Sequence, residues 1–343
     1  MATQYTTGIA DFNLDLTELI EEAFERAGLE MRSGYDMRTA RRSLNLLTIE
    51  WANRGINLWT IEQGQITINT GQAMYAIPVD TIDLLDQVIR TGSDQTQVDI
   101  NISRISESTY STIPTKNANG RPIQVWINRQ TGQQNTITAK LSANITATAT
   151  TLTLTSVAEL GTTGFIQIGS EIIAYQNVDT ANKQLLNCFR AQNGTTAAAH
   201  TTTETITVLN LPNVNVWPTG DGGGPYTLIY WRLRRVQNAG DGVNVQDIPF
   251  RFINCLVAGL AFMIAVKKPE VAPERVAFLK SEYEQQFQLA ADEDRDKASN
   301  RYVPRQMFYL PHNAVRIWTP TRLPCAFSQT KEFRFALTVK CLE

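Results

Sequence analysis

The stretch FINCLVAGLAFMIAV, residues 252 to 266, constrains this chain more than any other. Wound as a helix it is apolar on nearly all sides, and one partner helix cannot cover such a surface. It is shorter than the roughly 20 residues a membrane span needs. Asn254 and Gly259 interrupt it, and Lys267 and Lys268 close it. The expectation is a buried helix over 249–268, central among other helices or partly at a subunit interface. Asp247 and Pro249 mark its start.

Candidate partners lie at both ends of the chain. Asp15 opens a capping-box pattern with Glu18, and Leu16, Leu19, Ile20, Ala23, Phe24 and Ala27 follow helical spacing up to Gly28. A second helix begins near Asp36, with Met37, Ala40, Leu44, Leu47 and Trp51 as its stripe and Gly55 as its stop. Pro269 breaks the apolar helix and Pro273 opens another, with Val276, Leu279, Tyr283, Phe287 and Ala290 on one face.

Between these helices the period changes to two. QGQITINT, AMYAIP, DLLDQVIRT, QVDINIS and PIQVWINRQ read as strands, with ISESTYSTIP as a short helical turn. Residues 137–209 then become rich in Thr and Ala and poor in charge, a composition for short strands. Afterwards the earlier character returns with NVNVWPTGDGGGPYTLIYWRLRRV. The simplest reading is an insertion into a loop, which costs little because loop-closure entropy grows slowly with length. PIQVWINRQ and YTLIYWRLR would then be neighbours.

The expected fold class is α+β. Helices from 12–55 and 247–299 form a bundle that brackets a β-domain of 56–136 and 210–246. The β-domain carries the small β-module 137–209, and 300–343 is an extended arm. Between 301 and 343 stand seven Lys or Arg and two acids, with prolines and aromatics of no clear period.

The chain of 343 residues holds 31 Lys and Arg against 33 Asp and Glu. It lacks the basic excess of a protein built to grip nucleic acid, while remaining compatible with one that DNA merely passes. Cys188, Cys255, Cys325 and Cys341 form no CxxC and no close Cys/His pair, and read as free thiols of a reducing compartment. No basic stretch with an apolar core opens the chain, so no secretion signal is expected.

Several constellations carry the residue types of a site. Cys188 and His200 are a thiol and a base twelve residues apart, but catalysis also needs a third, orienting group. DGGG at 221–224 lacks the GK[ST] of a phosphate loop. In RLRR, Arg232 and Arg234 point one way along a strand and Arg235 the other, which suits salt bridges better than a DNA surface. DEDRD at 292–296, Glu18 and Glu21 read as solvated helix carboxylates. Each is read as structural, with no catalytic, cofactor-binding or metal-binding residue expected.

Taken together, LTELIEEAFERAGLEMRSGYDMRTARRSLNLLTIEWANRGINLWTI, then YAIPVDTIDLLDQVIR, then the return from VWPTGDGGGPYTLIYWRLRRV to EYEQQF resemble one family. They are similar to the head-to-tail adaptors of short-tailed phages, the tail accessory factor or tail tubular protein A family. The resemblance covers 12–136 and 210–300. The stretch LLNCFRAQNGTTAAAH resembles a small β-module of phage tail and virion proteins, in which Arg190, Gly194, Thr195, Ala197 and His200 link strands.

The resemblance implies a structural virion protein of the neck, made in the host bacterial cytoplasm. It implies a homo-oligomeric ring, typically twelve copies, below the portal protein. The ring extends the channel through which genomic DNA passes and joins the portal to the tail nozzle. No membrane and no cofactor are implied. The arm would dock on the portal through Arg301, Tyr302, Arg305, Phe308, Tyr309, Arg316 and Trp318, and the module could meet a tail fibre or capsid protein. The alternatives are a cell-wall glycan hydrolase, which needs two carboxylates across a cleft, and a fibre or spike protein.

Overall fold

The computed structural model describes residues 14–130, 132–240 and 244–294. Among them the chain is mixed α+β, with five α-helices and four small sheets.

Helix α1 (Leu16–Ala27) starts as its sequence dictates, with the Asp15 carboxylate accepting from the Glu18 amide at 2.8 Å. Helix α2 (Gly34–Arg54) is capped by Ser33, slightly ahead of the expected start at Asp36. Asp36 instead joins the cap: its carboxylate accepts from the Ser33 hydroxyl at 3.0 Å and from Lys268 at 2.8 Å. Gly28 and Gly55 end the two helices.

Next come strands β1 (Ile61–Ile68), β2 (Met74–Ala76), β3 (Thr81–Thr91), β4 (Val98–Asn101) and β5 (Ser103–Arg104). The short helix α3 (Glu107–Ser111) stands where a helical turn was expected, before β6 (Gln124–Asn128). The Thr-rich segment holds β7 (Gln134–Thr136), β8 (Leu152–Thr153), β9 (Gly164–Ile168), β10 (Glu171–Tyr175), β11 (Asn177–Asp179), β12 (Gln184–Leu186) and β13 (Ile206–Leu209). Strands β14 (Asn213–Trp217) and β15 (Tyr226–Arg234) follow, then helices α4 (Ile253–Lys267) and α5 (Pro273–Glu293).

Helix α4 packs against α1, α2 and α5. Leu256, Val257, Ala258, Leu260 and Ala261 are all buried, so its lack of a polar face is matched by cover from three neighbours. Phe250–Lys267 has the length and hydropathy to cross a membrane by composition alone. Here its apolar residues meet Leu16, Leu19, Leu44, Leu47, Trp51 and Tyr283 in one core. The interruption at Gly259 has a steric reason. A Cβ there would stand 2.8 Å from Leu47 Cδ2 on one side and 2.8 Å from the Tyr283 ring on the other. Beside it the Trp51 indole N–H donates to the Tyr283 hydroxyl at 3.1 Å, which satisfies a polar atom inside the core.

Asp247 does not cap the apolar helix. A 3-10 turn, Phe250–Phe252, precedes α4 without a side-chain cap. The Asp247 carboxylate is taken by Arg234 and by the Gln237 amide at 3.0 Å. An arginine fork outbids a weak helix-start preference when both reach the same carboxylate.

The strands of 61–128 and 213–234 form two four-stranded sheets, ordered β1-β15-β3-β4 and β2-β14-β6-β5. They share a core of Ile77, Leu84, Ile89, Val125, Val214, Val216 and Leu228. The expected pairing of PIQVWINRQ with YTLIYWRLR does not form. β6 pairs instead with β14, with Asn128 opposite Asn213. β15 lies in the other sheet between β1 and β3. The reason is the chain itself: NVNVW returns first and takes the open edge of β6, leaving YTLIYWRLR for the next sheet.

The same pairing explains how 137–209 is attached. Past Asn128 and Asn213 the two strands continue as a ribbon. Gly132 N–H donates to Asn210 at 2.8 Å, Asn210 N–H donates to Gln133 at 2.9 Å, and β7 pairs with β13. The segment then builds its own sheets, β10-β9-β13-β7 and β11-β12-β8, around a separate core that includes Leu152, Ile166, Ile173 and Leu185. A smaller apolar cluster of Met74, Ala76, Phe165, Ala174, Leu209 and Leu211 seats it on β2.

Two measurements check this packing. Gly259→Val should destabilise the helical core by about 1–3 kcal/mol, the usual cost of overpacking, as read by urea unfolding followed through tryptophan fluorescence. Replacing 134–209 by Asn-Gly should close the ribbon as a two-residue hairpin. Helical circular dichroism per molecule should then stay unchanged while the Thr-rich strands vanish.

Candidate functional site

A buried polar cluster inside the inserted segment centres on Glu171. The sequence IGSE places it next to a two-residue hairpin: Ile168 pairs with Glu171 across Gly169 and Ser170. The side chain is fully buried. Five N–H groups converge on its two oxygens. Oε1 accepts from Arg190 Nε at 2.8 Å and the Ala191 amide at 3.1 Å. Oε2 accepts from Arg190 Nη2 at 2.6 Å, the Ala198 amide at 3.0 Å and His200 Nε2 at 2.9 Å.

Local backbone conformation delivers these donors. Ala191, Asn193 and Gly194 adopt left-handed angles, with φ of 54°, 53° and 76°. The turn Asn193-Gly194 therefore exists as the sequence implied. Left-handed Ala191 costs about 1 kcal/mol or more, and its amide bond to Glu171 helps to hold it. Thr195 closes the turn: its hydroxyl donates to Gln192 at 2.8 Å and accepts from the Ile172 amide at 3.1 Å. Arg190 also donates to the Thr146 and Ala198 carbonyls, each at 2.6 Å.

His200 bridges two carboxylates. Its Nδ1 stands 2.9 Å from Glu204 Oε2 and its Nε2 2.9 Å from Glu171 Oε2. Ionised carboxylates only accept, so both bonds coexist when both ring nitrogens carry protons. Burial by itself would raise the Glu171 pKa. The hydrogen bonds from Arg190, Ala198, His200 and Ala191 outweigh it and hold the carboxyl at about 2. Glu204 is also held below the ordinary carboxylate range, chiefly by the Thr201 amide and His200.

The structure does not join Cys188 and His200 as a hydrogen-bonded thiol–imidazole pair. Cys188 is buried and donates to the Leu185 carbonyl at 3.5 Å. Burial pushes its thiol up to about 12, the opposite of an activated nucleophile. Both nitrogens of His200 are engaged by glutamates, so no base faces the thiol. The Arg190-to-His200 stretch joins strands by clamping Glu171, a residue its own spacing does not reveal.

The remaining candidates have the following partners. In DGGG the Asp221 carboxylate accepts from the Gly223 amide at 2.8 Å, making a plain loop before β15. Arg232 and Arg234 do share one side of β15. Arg232 donates to Asp80 at 2.6 Å and Glu62 at 2.7 Å, and Arg234 to Glu62 at 2.6 Å and to Asp247. Arg235 is exposed. Of the DEDRD carboxylates, Asp294 is not merely solvated: it accepts from the Asn57 amide at 2.8 Å and the Leu58 amide at 3.2 Å. Glu293 pairs with Arg251. Among the described residues no group of three or more His, Cys, Asp or Glu could hold a metal ion. Arg301, Tyr302, Arg305, Phe308, Tyr309, Arg316 and Trp318 lie outside the described residues.

Sequence reasoning passed over Glu171, Glu62 and Asp80. Glu171 had a usable signal, an acid within the apolar run GFIQIGSEIIAY of a charge-poor segment. Glu62 and Asp80 had none, since surface acids are common. A scan of known protein families and a search of curated proteins each return no match to this chain.

The Glu171 clamp makes a sharp prediction. Its carboxylate is depressed in the fold, so its stabilisation is complete above about pH 4.5, the ordinary value, and is lost as the pH falls towards about 2. Glu171→Gln should destabilise the insert by about 3–5 kcal/mol, the cost of breaking a buried pair. Hydrogen exchange at Ile166 and Ile173 should rise in that variant at neutral pH and show a weaker acid dependence than in the parent.

Proposed function

We propose that this chain is a structural head-to-tail adaptor of a short-tailed phage, forming a ring beneath the portal and joining it to the tail nozzle. What supports the reading above all is α4. It is covered by α1 and α2 from one end of the chain and α5 from the other, with the strands of 61–234 between them in sequence. That is the order in which the adaptor-like segments occur. In this reading the helices make a bundle forming the ring wall, the β-domain of 56–136 and 210–246 hangs from it, and the module 137–209 is an accessory.

The polar clusters add support. The arginines of β15 and the Glu171 group spend their hydrogen bonds internally, as a scaffold does, and the acids Glu171 and Glu204 flank a histidine rather than an open cleft. The arm 300–343 would dock onto the portal, with Tyr302, Phe308, Tyr309 and Trp318 as buried anchors and Arg301, Arg305 and Arg316 giving charge complementarity. DNA would pass through the channel without sequence-specific binding. The accessory module would face outward, towards a fibre or capsid protein.

Electron microscopy of the protein mixed with its portal should show a closed ring stacked coaxially on the portal. A three-fold rod, or no co-assembly, would overturn the reading. Removing 301–343 should abolish portal binding while leaving the circular dichroism of the helices and sheets in place. A truncated chain that docks as tightly would remove the arm from the mechanism.

A further inference from the structure

We infer that copies of this chain join head to tail through two complementary helical patches, the outer face of α1 on one copy against the outer face of α2 on the next. The inference rests on the ring reading and supplies its contact surfaces.

The α1 patch is acidic. Glu18, Glu21 and Glu25 are exposed on the side opposite the buried stripe, and among the described residues none of them has an ion-pair partner. Glu22 is neutralised by Arg26 at 2.9 Å. A groove between α1 and the start of α4 is lined by these glutamates together with Leu14, Phe250 and Val257. Phe250 stands 60 % exposed at its edge.

The α2 patch is basic and apolar. Tyr35, Arg38, Arg42, Leu46, Ile49 and Asn53 recur at steps of three and four, so they form one continuous outward stripe. Tyr35 is 63 % exposed, and Leu46 and Ile49 are each 57 % exposed. Arg38 and Arg42 bond to neutral groups of their own helix, the Gly34 carbonyl at 3.3 Å and the Thr39 hydroxyl at 3.4 Å. Among the described residues neither meets a carboxylate. Ile49 continues into a groove lined by Ala52, Ile82 and Val236.

Single exposed apolar residues are ordinary. The pattern here is different, because each helix carries like charges at the spacing that harms it. Glu21 and Glu25 are four residues apart, as are Arg38 and Arg42, and like charges at that spacing destabilise an isolated helix. The two costs cancel when the faces meet. The whole chain has a formal charge of only −2, so it is the segregation of charge between helices that provides the attraction. Each patch also brings apolar anchors, Phe250 on one and Tyr35, Leu46 and Ile49 on the other, the mixture that buried interface centres use. The patches share no residue, so the contact is heterologous. Heterologous contacts build rings when the rotation closes.

The test exchanges charge. One variant is Arg38→Glu with Arg42→Glu; the other is Glu18→Lys with Glu21→Lys and Glu25→Lys. Circular dichroism checks that each folds, and light scattering after size exclusion reads the mass. The parent should run as a large closed oligomer. Each variant alone should fall towards monomer, having two patches of one sign. Mixing the two variants, or placing all five changes in one chain, should restore the large species. Restoration identifies the pairing, since a merely damaged fold would not recover on mixing. If either variant alone assembles as the parent does, or if mixing restores nothing, the interface is wrong and the ring reading stands on its other support. A parent chain that stays monomeric, alone and with portal, overturns the ring reading and the interface with it.

Discussion

The need to cover most of the surface of α4 governs this molecule. A helix without a polar face cannot border solvent along its length, and burying each of its larger side chains contributes about 1.5–3 kcal/mol. Its cover comes from α1 and α2 on one side of the sequence and α5 on the other. Gly259 then sets how close they come, since Leu47 and Tyr283 occupy the space a side chain would need. Because α2 packs on α4, the chain between them leaves the helical core as strands and returns to it. The two-sheet β-structure is thus tied to the helices at both of its ends.

Those ends are fastened by polar groups. Arg232 and Arg234 on β15 gather Glu62 from β1, Asp80 from the turn before β3 and Asp247 from the approach to α4. The Trp59 indole donates to the Asp247 carbonyl at 3.0 Å, the Ala239 amide to Asn45 of α2 at 3.0 Å, and the Asn57 amide to Asp294 at 2.8 Å. Partly buried ion pairs of this kind add little net stability, because desolvation offsets attraction. Losing one partner is costly, however, because it strands the other. The network therefore acts more as a geometric constraint between sheet and helices than as a source of free energy. Such a constraint would suit the structural role proposed for this chain.

What the sequence revealed follows from which interactions are periodic. The helix stripes, the Asp15 cap, the stops at Gly28 and Gly55 and the short α3 all stand where spacing put them, because each is set by neighbours a few residues away. The partner of β6 was misread, since both NVNVW and YTLIYWRLR have strand character and only their order of return decides which one pairs. Asp247 was misread for a related reason: a helix-start residue 13 positions from Arg234 is captured by it, and no local pattern encodes that. At the candidate site the sequence offered Arg190, Gly194, Thr195 and His200 but not the residue they serve. Glu171 lies 19 residues before Arg190, and its role appears only when the hairpin folds back. Cys188 and His200 drew notice through chemistry alone, and the fold buries both and gives each of them other partners.

The Glu171 clamp also accounts for how a charge-poor, Thr-rich segment keeps one shape. Its strands are only two to five residues long, so few cross-strand pairs fix their register. A buried carboxylate that needs five N–H groups from Arg190, Ala191, Ala198 and His200 has one satisfactory arrangement. Any slip of the 187–200 connection leaves a charge without partners, which is far more costly than the loss of a few apolar contacts. The cluster thus supplies uniqueness where packing alone would leave choices. Meanwhile Phe165, Ala174 and Leu209 seat the segment on Met74 and Ala76, and the Gln192 side chain accepts from Gln72 at 2.8 Å. The turn that clamps Glu171 is therefore the turn that touches β2. Register inside the insert and its orientation on the β-structure are set by the same few residues, so whatever surface the insert presents, it presents at a fixed angle.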